Sequence, residues 1–272
     1  MLFRSGDLRT AIPRILDQHR LIGRDLGTRA ANDQWVEALC NTIFRGTPAQ
    51  AADAAAAALA EGMDPGAVSE AISLAANQLV LRDNGRPVAG GPNKPIGSIH
   101  GDSIGVHACD SANAWRNLAR VGNARNRVVC LVMGAWQVAL DRADRGGDFL
   151  NWQPYPREDA RLEVRTLDDD RLLPSLDSAI RNRSQIRAAA ITHRYLELGR
   201  PIRPLWDMLL SYTISEDGAL HHEKFYRTTV EEFTSVRTAF KARYLIALAR
   251  VTASGHGYPA PGHAEACRLL RL

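Results

Sequence analysis

The stretch TPAQAADAAAAALAEGMDPGAVSEAISLAANQLVLRD, residues 47–83, decides the fold. Thr47-Pro48 joins a capping hydroxyl to a proline at the first helical position, which opens a helix. Gly62 closes that helix, and Asp64-Pro65 repeats the start signal. Val68, Ile72, Ala75 and Leu79 then fall on one helical face. Together the two segments read as an antiparallel helical hairpin, and the alanines of the first allow close helix approach.

The same punctuation recurs outward from this hairpin. DNGRPVAGGPNKPIGS (83–98) is a Gly/Pro/Asn loop that delivers the chain to His100. Helices are expected from about His107 to Arg120 and from about Arg127 to Ala143, the second carrying Val128, Leu131, Val132, Trp136 and Leu140. RGGDFLNWQPYPRED (145–159) reads as a second loop. One helical segment from Asp169 to Arg194 is stopped by Gly199-Arg200-Pro201. A helix in RPLWDMLLSYTIS, a break at Asp217-Gly218 and a helix from near Ala219 follow. AFKARYLIALARVTASGHG is the last strong helix, and HAEACRLLRL reads as a short docking helix. No alternating strand pattern of useful length occurs. The expectation is an all-α protein, a bundle of antiparallel helical hairpins in a single domain. Residues 1–46 are expected to form an N-terminal helical segment and 47–272 the helical metal-binding domain. Leu2-Phe3-Arg4-Ser5 matches the translation of a common sequencing adapter, so the N-terminal segment is expected to be truncated.

Composition narrows the function. With 272 residues, 45% of them hydrophobic, the chain can bury a sizeable core. The net charge of +4, from 34 basic and 30 acidic residues, is mild. Arginine supplies nearly all the positive charge, because only Lys94, Lys224 and Lys241 are lysines. The arginines are scattered and no basic block alternates with aromatics, so nucleic acid is not an expected partner. Cys40, Cys109, Cys130 and Cys267 form no CxxC pair and read as reduced thiols of a cytoplasmic protein. No apolar run approaches the ~20 residues of a membrane span, and the first ten residues lack the apolar core of a secretory signal.

The chemistry lies in the histidines. His19 reads as solvated in an arginine-rich stretch, and His256 and His263 as exposed in a Gly/Pro loop. His100 and His107 stand apart, in IGSIHGDSIGVHACDSANAWRNLARV (96–121). On one continuous helix they would lie about 10 Å apart along the axis, whereas two imidazoles on one ion bring their nitrogens within about 3 Å. Gly101 and Gly105 break that continuity and let His100 fold back over the turn carrying His107. Asp102 is placed to cap the helix or to orient an imidazole from behind. In ALHHEKFYR, His221 and Lys224 share a face, as do His222 and Tyr226. A desolvated lysine loses its proton and reacts with carbon dioxide to give a carbamate, an anionic oxygen ligand. His193 reads equally as a buried ligand or as a cation at a helix C-terminus. No GxSxG elbow, phosphate loop or HExxH motif occurs, and the E-x-x-H pattern of di-iron bundles is missing at these histidines.

These blocks resemble a known family. SIHGDSIGVHACDSANAWRNL is similar to the His-Gly-Asp…Val-His…Ala-Asn-Ala block of the questin oxidase-like family, including bacterial relatives attached to Rieske domains. EDGALHHEKFYRTTVEEF with ARYLIALARVTAS resembles its C-terminal block, and GMDPGAVSEAISLAANQLVLR its upstream helix pair. The resemblance implies an all-helical oxygenase with a mononuclear non-haem Fe(II) held by several histidines and, in some members, a carboxylated lysine. The substrates it implies are dioxygen and a small aromatic or quinone-type molecule whose ring is opened. Carried over, it implies His100, His107 and His221 as ligands, His193 as a fourth imidazole and Lys224 as the carboxylated lysine. Trp115, Trp136, Trp206 and Tyr226 are candidates for the pocket wall, with core packing as their ordinary role. The chain departs from the family in its shorter length, in Ala108 where bacterial relatives often have a second histidine, and in having no Rieske Cys-His pairs. A non-catalytic helical scaffold and a zinc-dependent hydrolase are the competing classes.

Overall fold

The computed structural model describes residues 5–216 and 220–271, with side chains from residue 8 onward. The expected break at Asp217-Gly218 and the helix start at Ala219 lie outside the described residues. Among those residues the protein is all-α, with thirteen α-helices, two short 3-10 turns and no strand. Their contacts divide the chain into two compact units, residues 1–79 with 108–150, and 80–107 with 151–272.

The first unit holds α1 (Ser5–Gln18), α2 (Asp33–Arg45), α3 (Pro48–Ala60), α6 (Ala124–Arg145), most of α4 (Pro65–Arg82) and most of α5 (Ile104–Val121). The capping signal at Thr47 is realised in full. The Thr47 hydroxyl accepts from the Gln50 amide while the Gln50 side chain accepts from the Thr47 amide. Ala51, Ala52, Ala55, Ala56 and Ala58 are buried on α3, whose main partner is α6. Small side chains let the two backbones approach. Asn32 and Asn123 cap α2 and α6. His19 is not solvated as expected, because its Nε2 meets Asp53 Oδ1 at 2.8 Å.

The second unit is organised around α12 (Lys241–Gly255), buried continuously from Tyr244 to Gly255. Neighbours cover each of its faces, so the polar Arg250, Thr252 and Ser254 are buried along with its apolar side chains. α9 (Gln185–Glu197), α11 (His221–Ser235), α8 (Leu172–Arg181) and α10 (Ile202–Ser215) pack on it, and α7 (Glu158–Val164) packs on α9. The helix expected across Asp169–Arg194 is broken: α8 ends at Arg181, and Arg183 takes φ +53° before Ser184 caps α9. α7 begins at the end of the stretch read as a loop (145–159) and runs on into residues for which no element was expected, and α13 (His263–Leu270) is the expected terminal helix.

Arg250 of α12 ties this unit together. Its guanidinium, fully buried, donates to the carbonyls of Val80 and Asp83 and to Gln185 Oε1, the last two at 2.8 and 3.1 Å. The last carbonyls of a helix have no partner within it, so Arg250 caps the end of α4 from inside the core. Burial lowers its pKa to about 10, against the favourable charges of Tyr155 and Asp83.

Candidate functional site

Of the residues expected at a metal, His107 and His221 come together. Gly101, at φ +66°, turns the chain ahead of α5, and Ser103 caps the helix: its hydroxyl donates to the Ile99 carbonyl at 2.6 Å and accepts from Val106 N–H. His107 thus lies in the first turn of α5, which starts at Ile104 and includes Gly105 rather than breaking there. His221 is the first residue of α11, after Leu220 in the left-handed region at φ +66°. The two ring centres are 5.2 Å apart with planes tilted by 31°. Two imidazoles bound at about 2.1 Å to one tetrahedral ion put their ring centres about 5 Å apart. The same spacing also occurs in ordinary aromatic packing.

The surroundings of His221 favour a neutral ring. Burial lowers its pKa first, and the nearby His107, Lys224 and Lys94 lower it further against the opposing Asp102. Its Nδ1 is buried and meets no hydrogen-bond partner among the described residues. Buried polar atoms without partners are rare and call for an explanation such as water or an ion.

Asp102 neither caps α5 nor touches an imidazole. Its carboxylate lies 2.7 Å from Arg86 and 3.0 Å from Lys94. Burial raises its pKa, but the hydrogen bonds and charges of Lys94 and Arg86 outweigh this and hold it below the usual carboxylate range. Lys224 is exposed, so the desolvation that carbamate formation was expected to use is not provided at that position.

His100 sits in a different environment. It is fully buried, with Nε2 at 2.6 Å from the Asn93 carbonyl and Nδ1 at 2.8 Å from the Ser254 hydroxyl. Tyr258 stacks on it at 5.3 Å. Burial drives its pKa down to about 4 despite the bond to Asn93. His193 is half-buried on α9, and its charged neighbours are Arg161 and Glu197. Burial and then Arg161 lower its pKa against the opposing Glu197, which disfavours the helix-end cation considered from sequence.

Two hydroxyls of α12, Thr252 and Ser254, matter that the sequence reading passed over. His222, fully buried, lies 3.2 Å from Thr252 Oγ1, and burial and the nearby His100 lower its pKa to about 4. Thr252 and Ser254, two residues apart on α12, therefore each hold a histidine. His256 is not exposed as expected but packs edge-on against Tyr212 and lies 3.5 Å from Glu216. The aromatic candidates fall into separate settings. Trp115 packs against Gly134 in the first unit, and Trp206 meets Tyr226 and Phe233 edge-on in the second. All three of Trp115, Trp206 and Tyr226 are half-buried.

Of the five expected ligands, His107 and His221 are adjacent and Lys224 is near His221, whereas His100 and His193 sit in other settings. Among the described residues no group of three or more His, Cys, Asp or Glu side chains is placed to hold a metal ion. No helix among them is long and apolar enough to cross a membrane. No protein-family model, no curated protein and no solved structure matches the chain.

Proposed function

We propose that the chain binds a divalent transition metal through His107 and His221 and belongs to the non-haem iron oxygenases, acting on a small aromatic or quinone-type molecule with dioxygen. The observation that carries the metal reading is the His107–His221 pair, 5.2 Å between ring centres, with a buried Nδ1 that lacks a partner. The oxygenase reading rests on the resemblance of residues 98–118 and 216–254 to the questin oxidase-like blocks. The full set of four imidazoles and a carbamate does not fit this arrangement. Ferrous iron, when bound, would supply dioxygen activation. The chain's own contribution is a pair of imidazoles, one whose charged form burial disfavours, beside a carboxylate already committed to Arg86 and Lys94.

Anaerobic titration of the full chain with Fe(II) tests the proposal. Close to one equivalent should bind, and His107→Ala or His221→Ala should each abolish binding. Retention of the metal by both variants would rule the site out. Tighter binding by Lys224→Glu than by Lys224→Ala would support an oxygen ligand at position 224, and equal affinities would remove it.

A second reading, a non-catalytic helical scaffold, is favoured by His100, whose two ring nitrogens are both engaged inside the protein. It expects no change of melting temperature on adding or chelating metal. A bound metal should stabilise by several kcal/mol through linkage. Zinc binding without oxygen uptake on hydroxylated quinones would instead indicate a hydrolase.

A further inference from the structure

We infer that His100, the histidine of the His-Gly-Asp block, is a latch rather than a metal ligand: it fastens the loop 83–102 to α12 and so positions Lys94 and Asp102 beside His221. The donor and acceptor balance fixes its tautomer. A backbone carbonyl only accepts, so the 2.6 Å contact with Asn93 places the proton on Nε2. Ser254 Oγ already accepts the Ile99 N–H at 2.8 Å, so its own proton is available for Nδ1 at 2.8 Å. Ile99 N–H, Ser254 O–H and His100 Nε2–H form a chain in which each donor has an acceptor. Neither ring nitrogen keeps a lone pair for a cation.

The rest of the loop is built around the same latch. Arg86 donates to the Ser98 hydroxyl at 2.9 Å, the His100 carbonyl at 2.8 Å and Asp102 Oδ1 at 2.7 Å. Arg86 and Ser98 also pair through the backbone, and Gln185 donates to the Gly97 carbonyl at 2.9 Å. Gly85, at φ +95°, lies so near Gly97 that a Cβ would sit 2.2 Å from its carbonyl oxygen. With Asn93 held by His100, the next residue, Lys94, is delivered to Asp102 at 3.0 Å. His100 therefore acts at a distance, as a positioning residue.

Three measurements on the full chain test this. In 15N-resolved NMR the His100 ring should show the Nε2–H tautomer at pH 7, and an Nδ1–H tautomer overturns the assignment. In thermal denaturation, His100→Gln, Ser254→Ala and the double variant should be non-additive, the double losing little more than the worse single, because residues sharing a hydrogen bond couple. Additive losses overturn it. With cobalt(II) as the probe, His100→Gln should lower affinity by about 10- to 100-fold at most, as losing a residue behind the ligands does, and leave the visible spectrum unchanged. A larger loss with an altered spectrum makes His100 a ligand. Should the unmodified chain bind no cobalt, the metal reading fails, while the tautomer and the cycle still decide the latch.

Discussion

The guanidinium carbon of Arg250 lies 3.6 Å from the centre of the Tyr155 ring, closing a buried junction between the end of α4 and the segment before α7. An arginine with no exposed surface persists only where acceptors surround it, and here carbonyls of Val80 and Asp83 and the Gln185 side chain do so. The ring face takes up part of the remaining charge.

Arg250→Met should therefore destabilise by about 3 kcal/mol, since it leaves buried carbonyls without donors. Arg250→Lys should recover less than half of this, because an ammonium cannot span the acceptors as the planar fork does. Urea denaturation measures both, and a loss below about 1 kcal/mol for Arg250→Met would contradict the capping role.

Acid should weaken the fold through His100 and His222. Both folded pKa values, about 4, lie below the ordinary 6.5. Between these values the unfolded chain binds more protons, so stability is full above about pH 6.5 and falls as the pH drops toward 4. Each site can contribute up to about 3 kcal/mol of this loss. Replacing His222 with Gln should flatten the slope of stability against pH by close to one proton; an unchanged slope would refute its buried neutral state.

Asp141 on α6 should act in the opposite direction. Burial, with Asp144 adding to it against the Gln137 hydrogen bond, raises its pKa to about 7. Its contribution is present at low pH and is lost as the pH rises from about 4 to 7. Relative to Asp141→Asn, the unmodified chain should lose about 2 kcal/mol between pH 5 and 7. Parallel stability curves would show that Asp141 is already ionised at pH 5.

Gly85→Ala should destabilise by about 2 kcal/mol, combining a positive φ with backbone contact. The Cβ would meet the Gly97 carbonyl, which has no flexible side chain to move aside. A melting temperature equal to that of the unmodified chain would show that the loop can open at this point.

The helices with local punctuation were legible in the sequence, and those without it were not. Thr47-Pro48 and Asp64-Pro65 mark α3 and α4 directly, because capping and proline chemistry act within a few residues. The break between α8 and α9 carries neither glycine nor proline; it turns at Arg183, a residue type that seldom takes positive φ. The meeting of His107 with His221 was accessible as a candidate from residue type and helix position. The role of His100 was not, because its partner Ser254 lies 154 positions further along the chain. Residue type alone could not separate a ligand imidazole from one satisfied by a hydroxyl and a carbonyl.

Each compact unit is assembled from two separated stretches, with 80–107 belonging with 151–272. During synthesis, the segment bearing His100, Asp102 and His107 leaves the ribosome well before its packing partners α11 and α12 have been made. Vectorial folding can complete the first unit early, while this histidine-bearing stretch must wait, hydrated and unpaired, for α11 and α12 to emerge.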